Sequence, residues 1–368
     1  MRILFITNNL PPLVDGVGDY TYNLAHEFAK HGHEVHVVCI NREEIRDDYK
    51  DIHVAKIVKK WNKLAGKDIA VYIRENGIEV VSLQYVPYAY HSKGLPFGLI
   101  TALKEIKKTG VRLMTFCHEV CIGLWDKHTV KNVIYAATMQ YITKQVLNCS
   151  DSVATSIDHY ARKIRQFSPK HKDVVCIPIA SNVPVTTKST EELFVLRRSV
   201  ADNDQQKIIG FFGCRDCETS IKAIEELQKE GHDLKMLFIG KVSEKTLSLI
   251  PNDAYTTGIL DIEDIDQYLR IADAIVIPCK NGVSFKNGAF IAALNANKPV
   301  ITASGFMTDE DIYNVKDLSF VDFDNIKRIK ESLLPVLKSS YKQTERYIEI
   351  KEVCSFNNAY AKYLNTLL

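Results

Sequence analysis

The chain has 368 residues, 46% hydrophobic and 25% charged, with 47 basic against 45 acidic side chains and a formal net charge of +2. That length accommodates two domains with cores of their own, and the composition is that of a globular protein. The charge balance supplies no basic field for nucleic acid, no apolar run is long enough to span a membrane, and Met1 leads straight into a strand rather than a signal peptide, so a cytoplasmic protein with no nucleic-acid partner is expected.

The first strand is the apolar run Arg2–Thr7, followed by a loop dense in turn residues from Asn8 to Asp19. Helical spacing from Tyr20 to His31 puts Leu24, Ala25, Phe28 and Ala29 on one face. Gly32 stops this helix, and Val35–Cys39 is a second strand. Such a β-α-β unit sets the amides of a glycine loop at a helix N-terminus, where the dipole favours an anion. Gly16 and Gly18 are therefore candidates for contact with a phosphate-bearing ligand. The segment Gly16-Val17-Gly18 lacks the third glycine of the dinucleotide fingerprint, and a plain strand-to-helix turn explains the two glycines as well.

Residues 51–58 read as a strand or as the start of a helix. In a helix over 54–67, Val54, Ile57, Val58, Trp61 and Leu64 would form an apolar stripe between lysines, suited to peripheral contact with the inner face of a membrane. The β-branched residues at its start favour a strand followed by a packed helix. Further strands are expected at 80–84, 112–116, 152–155 and 174–178, with helices at 100–109, 132–147 and 158–166. Tyr85, Tyr88 and Tyr90 read either as stacking groups for a sugar or as core. Strands apolar on both faces, alternating with helices, make a parallel sheet covered on both sides.

The stretch 182–203 breaks this pattern, and Val183–Thr190 reads as a linker. A second strand series follows at 207–213, 234–240, 274–278, 299–303 and 318–321. The expected fold is α/β, with two Rossmann-like doubly wound domains (1–185 and 186–355) facing across a cleft, and ligands beyond the carboxyl ends of the strands. Of nine cysteines, Cys39, Cys176 and Cys279 sit in or beside apolar strands as small buried groups. Cys214-Arg215-Asp216-Cys217 is a lone C-x-x-C without a second ligand pair, so no metal site is read. Asp261-Ile262-Glu263-Asp264 reads as a helix start, not as a metal-binding Asp-x-Asp.

Taken in order, several segments together resemble the GT-B-fold retaining glycosyltransferases of family 4. These are Pro11-Pro12 through Gly18 with Leu24-Ala25 and His31–Val35, then Thr115–Glu119 and Ile177–Pro184. Gly210–Arg215 opens the second half, and Ile277-Pro278 through Asn297–Ile301 forms its donor segment. The resemblance implies transfer of a sugar from a nucleotide-diphosphate sugar to a hydroxyl of a glycan or lipid-linked acceptor, with no cofactor and no divalent metal. It implies that the helix 356–368 packs back on the first domain. It places Gly16 and Gly18 by the donor diphosphate, His118 by the donor sugar and Arg215 on the leaving diphosphate, whose growing charge a fixed guanidinium neutralises. Taken alone, His118 reads as a core or strand-end histidine; its place at a strand's carboxyl end, just past the sheet, favours the site instead.

The donor segment departs from the family pattern. The paired glutamates fall on Ser284 and Ala292, and Ala292 cannot accept a hydrogen bond. A phosphate-binding lysine is missing from Glu218–Ser220, with Lys222 the nearest substitute. The turn glycine is Asn297, which tolerates left-handed backbone. Lys280, Ser284, Lys286, Asn287 and Gly288 are the candidates that compensate, unless this is an ordinary solvated loop. Two rival readings accompany the transferase: a catalytically inactive GT-B protein serving as a binding or partner subunit, and a nucleotide-sugar epimerase of the same fold.

Overall fold

A computed structural model describes residues 1–46, 48–121, 129–213, 216–315, 318–338 and 345–367. The chain divides into two compact units, Met1–Ile179 with Phe356–Leu368, and Ala180–Ser355. In unit 1 the strands are β1 (Arg2–Ile6), β2 (Glu34–Ile40), β3 (His53–Val58), β4 (Val80–Tyr85), β5 (Arg112–Cys117), β6 (Ser152–Thr155) and β7 (Val175–Cys176). They form one sheet in the order β3-β2-β1-β4-β5-β6-β7, and every pairing is parallel. The strands read clearly from sequence because both faces are buried: Ile3, Leu4, Phe5 and Ile6 are all fully covered.

Residues 54–58 belong to β3, and the helix that follows, Lys63–Glu75, starts at the cap Asn62, whose Oδ1 accepts from the Leu64 and Ala65 amides. The lysine-flanked helical stripe over 54–67 is therefore not formed. Trp61, its largest member, is buried and donates from Nε1 to Asn8 Oδ1 at 2.9 Å. Tyr85 and Tyr90 are core residues, and Tyr88 alone of the three is exposed. The final helix, Phe356–Leu367, lies against Gly16–Lys30 and buries Ala359, Tyr363 and Leu367 in the core of unit 1.

Unit 2 repeats the plan with β8 (Lys207–Phe212), β9 (Leu234–Ile239), β10 (Tyr255–Thr256), β11 (Ala274–Ile277), β12 (Val300–Thr302) and β13 (Leu318–Phe320), in the all-parallel order β10-β9-β8-β11-β12-β13. The stretch 182–203 is not all linker. A capping box between Ser189 and Glu192 starts a helix at Thr190 that runs to Val200. Asn297 is left-handed, at φ 60°, as its place in the turn requires.

Helix Lys63–Glu75 packs on helix Phe97–Lys107 with backbone almost touching backbone. A Cβ at Gly66 would lie 2.5 Å from the Ala102 backbone, and one at Gly98 would lie 1.9 Å from the Trp61 carbonyl oxygen. Neither partner is a side-chain tip that moves aside. Gly66→Ala and Gly98→Ala should each cost about 1–3 kcal/mol, read as a fall of roughly 2–4 °C in thermal midpoint per kcal/mol. Gly16→Ala, which meets nothing within 4 Å, should leave the midpoint within about 2 °C of wild type. Calorimetry of the three variants checks this.

Candidate functional site

In unit 1 the topology reverses between β1 and β4, so the loops after these strands and after β5 border the crevice where ligands of such sheets sit. The loop after β1 is fixed by a polar chain. Asn8 Nδ2 donates to Asn9 Oδ1 at 3.2 Å, and Asn9 Nδ2 to Asp15 Oδ2 at 2.8 Å. Asp15 caps the helix Gly16–Lys30, its Oδ1 accepting from the Val17 amide at 3.0 Å. The helix start thus carries an anion of its own. The two glycines differ in kind. A Cβ at Gly18 would stand 2.7 Å from the Asn9 carbonyl oxygen, so Gly18 is needed by the fold, whereas Gly16 has open space at its Cα.

His118 follows β5 and is almost fully buried. Its Nε2 lies 2.8 Å from Gln84 Oε1. An amide oxygen only accepts, so Nε2 is the donor in this contact. Gln84 is held in turn, its Nε2 donating to Ser82 Oγ at 3.0 Å and to the Tyr363 hydroxyl at 3.2 Å. Tyr20 and Phe116 flank the imidazole edge-on, with centroids 5.1 and 4.5 Å away. The ring is positioned from strand, helix and C-terminal helix together.

In unit 2 a pocket of about 580 Å³ opens at the carboxyl edge of the sheet. Each wall follows a strand: Asp216–Thr219 after β8, Lys245 and Thr246 after β9, Pro278–Lys280 after β11, Ala303 and Ser304 after β12, and Asp322–Asp324 after β13. Lys280 is the residue anticipated from sequence that lines it. Ser284, Lys286, Asn287 and Gly288 do not. Ser284 is buried, and Asn287 is the cap of helix Gly288–Asn295, its Oδ1 accepting from the Phe290 amide at 3.0 Å. Ala292 is also buried. Lys222 pairs with Glu218 at 2.9 Å on the helix surface, outside the pocket lining. Cys214 and Arg215 lie outside the described residues. Lys245 and the carboxylates Asp216, Glu218, Asp322 and Asp324 escape sequence reading. The one signal that could have found them is their common place just beyond a strand end.

Close backbone approaches fix this edge. Gly213, at φ 65°, ends β8 where a Cβ would stand 2.9 Å from Ala289 Cβ. Gly282 and Gly305 meet backbone to backbone, and the Val283 amide donates to the Ala303 carbonyl at 2.9 Å. The loop after β11 is thereby set against the loop after β12.

The polar start of the helix Gly16–Lys30 has a titration consequence. Burial, and then the neighbouring Asp15 carboxylate, push the Asp19 carboxyl up to about 6. A carboxyl raised above its unfolded value of 3.8 contributes stability fully below that pH, and the contribution is lost as pH rises through about 6. Asp19→Asn should therefore raise the thermal midpoint at pH 7.5, with the gain shrinking towards pH 4. Melting curves of both proteins across pH 4–8 test this, and a gain independent of pH would contradict it.

Comparison with known proteins follows the same division. A sequence model described as Glycosyltransferase Family 4 matches residues 14–180. No curated protein sequence matches significantly. Among solved structures, a glycosyltransferase from Rickettsia africae superposes with a TM-score of 0.68 at 16% identity, covering 100% of this chain and 94% of that one. HepE from Anabaena, solved with UDP, gives 0.66 at 12% identity with both chains fully covered. An α,α-trehalose-phosphate synthase from Burkholderia xenovorans, solved with glucose-6-phosphate, gives 0.65 at 9% identity, again with full coverage of both. At these identities the likeness speaks for the two-domain α/β fold. The family match thus covers the first unit, and the whole chain has the two-domain α/β fold of these GT-B glycosyltransferases.

Proposed function

We propose that the protein moves a sugar from a nucleotide-diphosphate sugar to a hydroxyl of a glycan or lipid-linked acceptor, with retention and without a required cofactor or divalent ion. The observation that carries the reading is the unit 2 pocket, whose polar groups come in the two kinds such a donor needs. Lys245 and Lys280 suit phosphate oxygens. Asp216, Glu218, Asp322 and Asp324 accept from sugar and ribose hydroxyls, a role that Ala292 cannot fill. The UDP held by HepE supports the same reading.

In this scheme Arg215 neutralises the charge that develops on the leaving diphosphate, and His118 lies by the donor sugar. Gly16 supplies close approach, and Gly18 keeps its helix seated on Asn9. The turn Ser284–Gly288 acts at one remove, holding the loop that carries Lys280. The phosphates depend on Arg215, Lys245 and Lys280.

Nucleoside diphosphate should be released from at least one member of a panel of UDP-, GDP- and ADP-sugars in the presence of chelator. Arg215→Ala should lower turnover by about two to three orders of magnitude with the fold intact. Lys280→Ala, and Asp322→Asn with Asp324→Asn, should each weaken nucleotide binding by about tenfold in calorimetry, as loss of a charge-assisted hydrogen bond requires. Nucleotide binding without release from any sugar donor would move the reading to the inactive partner. Activity abolished by chelator and restored by manganese would overturn metal independence.

A further inference from the structure

At the amino ends of β2 and β3, three metal-binding side chains converge. The strands run parallel with His36 opposite His53, and Glu34 precedes His36 by two residues and so shares its face. Glu34 Oε1 lies 3.2 Å from His36 Nε2. The two imidazole rings stack with centroids 4.8 Å apart. One ligand atom from each of the three residues lies within 4.8 Å of the others. His36 is buried, while Glu34 and His53 are exposed, so the group has a fixed anchor and an opening to water.

Two neighbours orient it. The Tyr72 hydroxyl is 2.8 Å from His36 Nδ1, which turns Nε2 towards Glu34. Arg2 Nε donates to Glu34 Oε2 at 2.9 Å, leaving Oε1 towards the imidazole. Outer contacts of this kind accompany metal-binding histidines, fixing ring and tautomer.

We propose that Glu34, His36 and His53 form a zinc site, with water in the fourth position. Two imidazoles and one carboxylate suit zinc, whereas magnesium and calcium demand more oxygen ligands. Zinc–nitrogen bonds of about 2.0–2.1 Å put tetrahedral ligand atoms about 3.3 Å apart. The Glu34–His36 pair already has that spacing, and rotation of the exposed His53 side chain closes the rest. In the metal-free protein a proton on His36 Nε2 bridges to Glu34. With zinc bound there, the imidazole carries its proton on Nδ1 and donates to the Tyr72 oxygen. The ion would pin β3, an edge strand, to β2. It has no part in sugar transfer, because the site lies at the amino end of the strands.

The test uses untagged full-length protein stripped with chelator and desalted. Cobalt(II) titration should give the visible bands of a tetrahedral nitrogen–oxygen site at one equivalent, displaced by zinc, and zinc should raise the thermal midpoint while magnesium should not. His53→Ala and Glu34→Gln, both at exposed positions, should each weaken zinc by tenfold or more without altering the metal-free midpoint by more than about 2 °C. Amide exchange in 53–58 should slow with zinc in the wild type only. Absence of tetrahedral cobalt bands would overturn the proposal. So would sulfur-to-cobalt charge transfer, or zinc affinity unchanged in both variants.

Discussion

A parallel strand cannot be joined to its neighbour by a tight turn. The chain must cross over the sheet first, and with the same hand each time, every strand therefore ends on one edge. Both units obey this constraint without exception, and their candidate chemistry follows from it. Residues distant in sequence, such as Asp216, Lys245, Lys280, Ser304 and Asp322, share the rim of one pocket because each comes just after a strand. The opposite edge is built by the same rule: parallel register sets His36 beside His53.

The parallel arrangement also explains what was legible in the sequence. Strands buried on both faces leave unbroken apolar runs, so β1, β4, β5, β8, β9 and β11 stand out, while the two-residue β10 leaves no periodicity to detect. The helix Thr190–Val200 hid inside a polar stretch because its signal was the cap Ser189 with Glu192. Spacing in the donor segment singled out Ser284 and Ala292, but spacing does not say whether a side chain turns inward. Both proved to be buried. Gly18 packs against a carbonyl nine residues earlier, a contact that exists only after the loop has folded back. The rim carboxylates carry no motif at all, since Asp216 and Glu218 follow one strand while Asp322 and Asp324 follow another, distant in sequence.

The polar groups around Gln84 are satisfied in a chain rather than in pairs. Gln84, on a central strand, must find partners for both ends of its amide, since an unpaired buried amide costs roughly 1–3 kcal/mol. It finds His118 on one side and Ser82 with Tyr363 on the other. The same satisfaction that stabilises the core therefore orients the candidate catalytic histidine. Specificity of fold and readiness of the site are one network here.

Tyr363 also sets an order of events during synthesis. Residues 180–355 form a complete unit from one continuous stretch, but unit 1 draws its last helix from residues 356–367. Until that helix leaves the ribosome, the first 179 residues lack three core side chains, Ala359, Tyr363 and Leu367, and the amide of Gln84 lacks one of its partners. The half made first is finished last. A nascent chain stalled before residue 356 should hold a folded second unit tethered to a first unit whose apolar groove still faces solvent, a form that chaperones and proteases are built to detect.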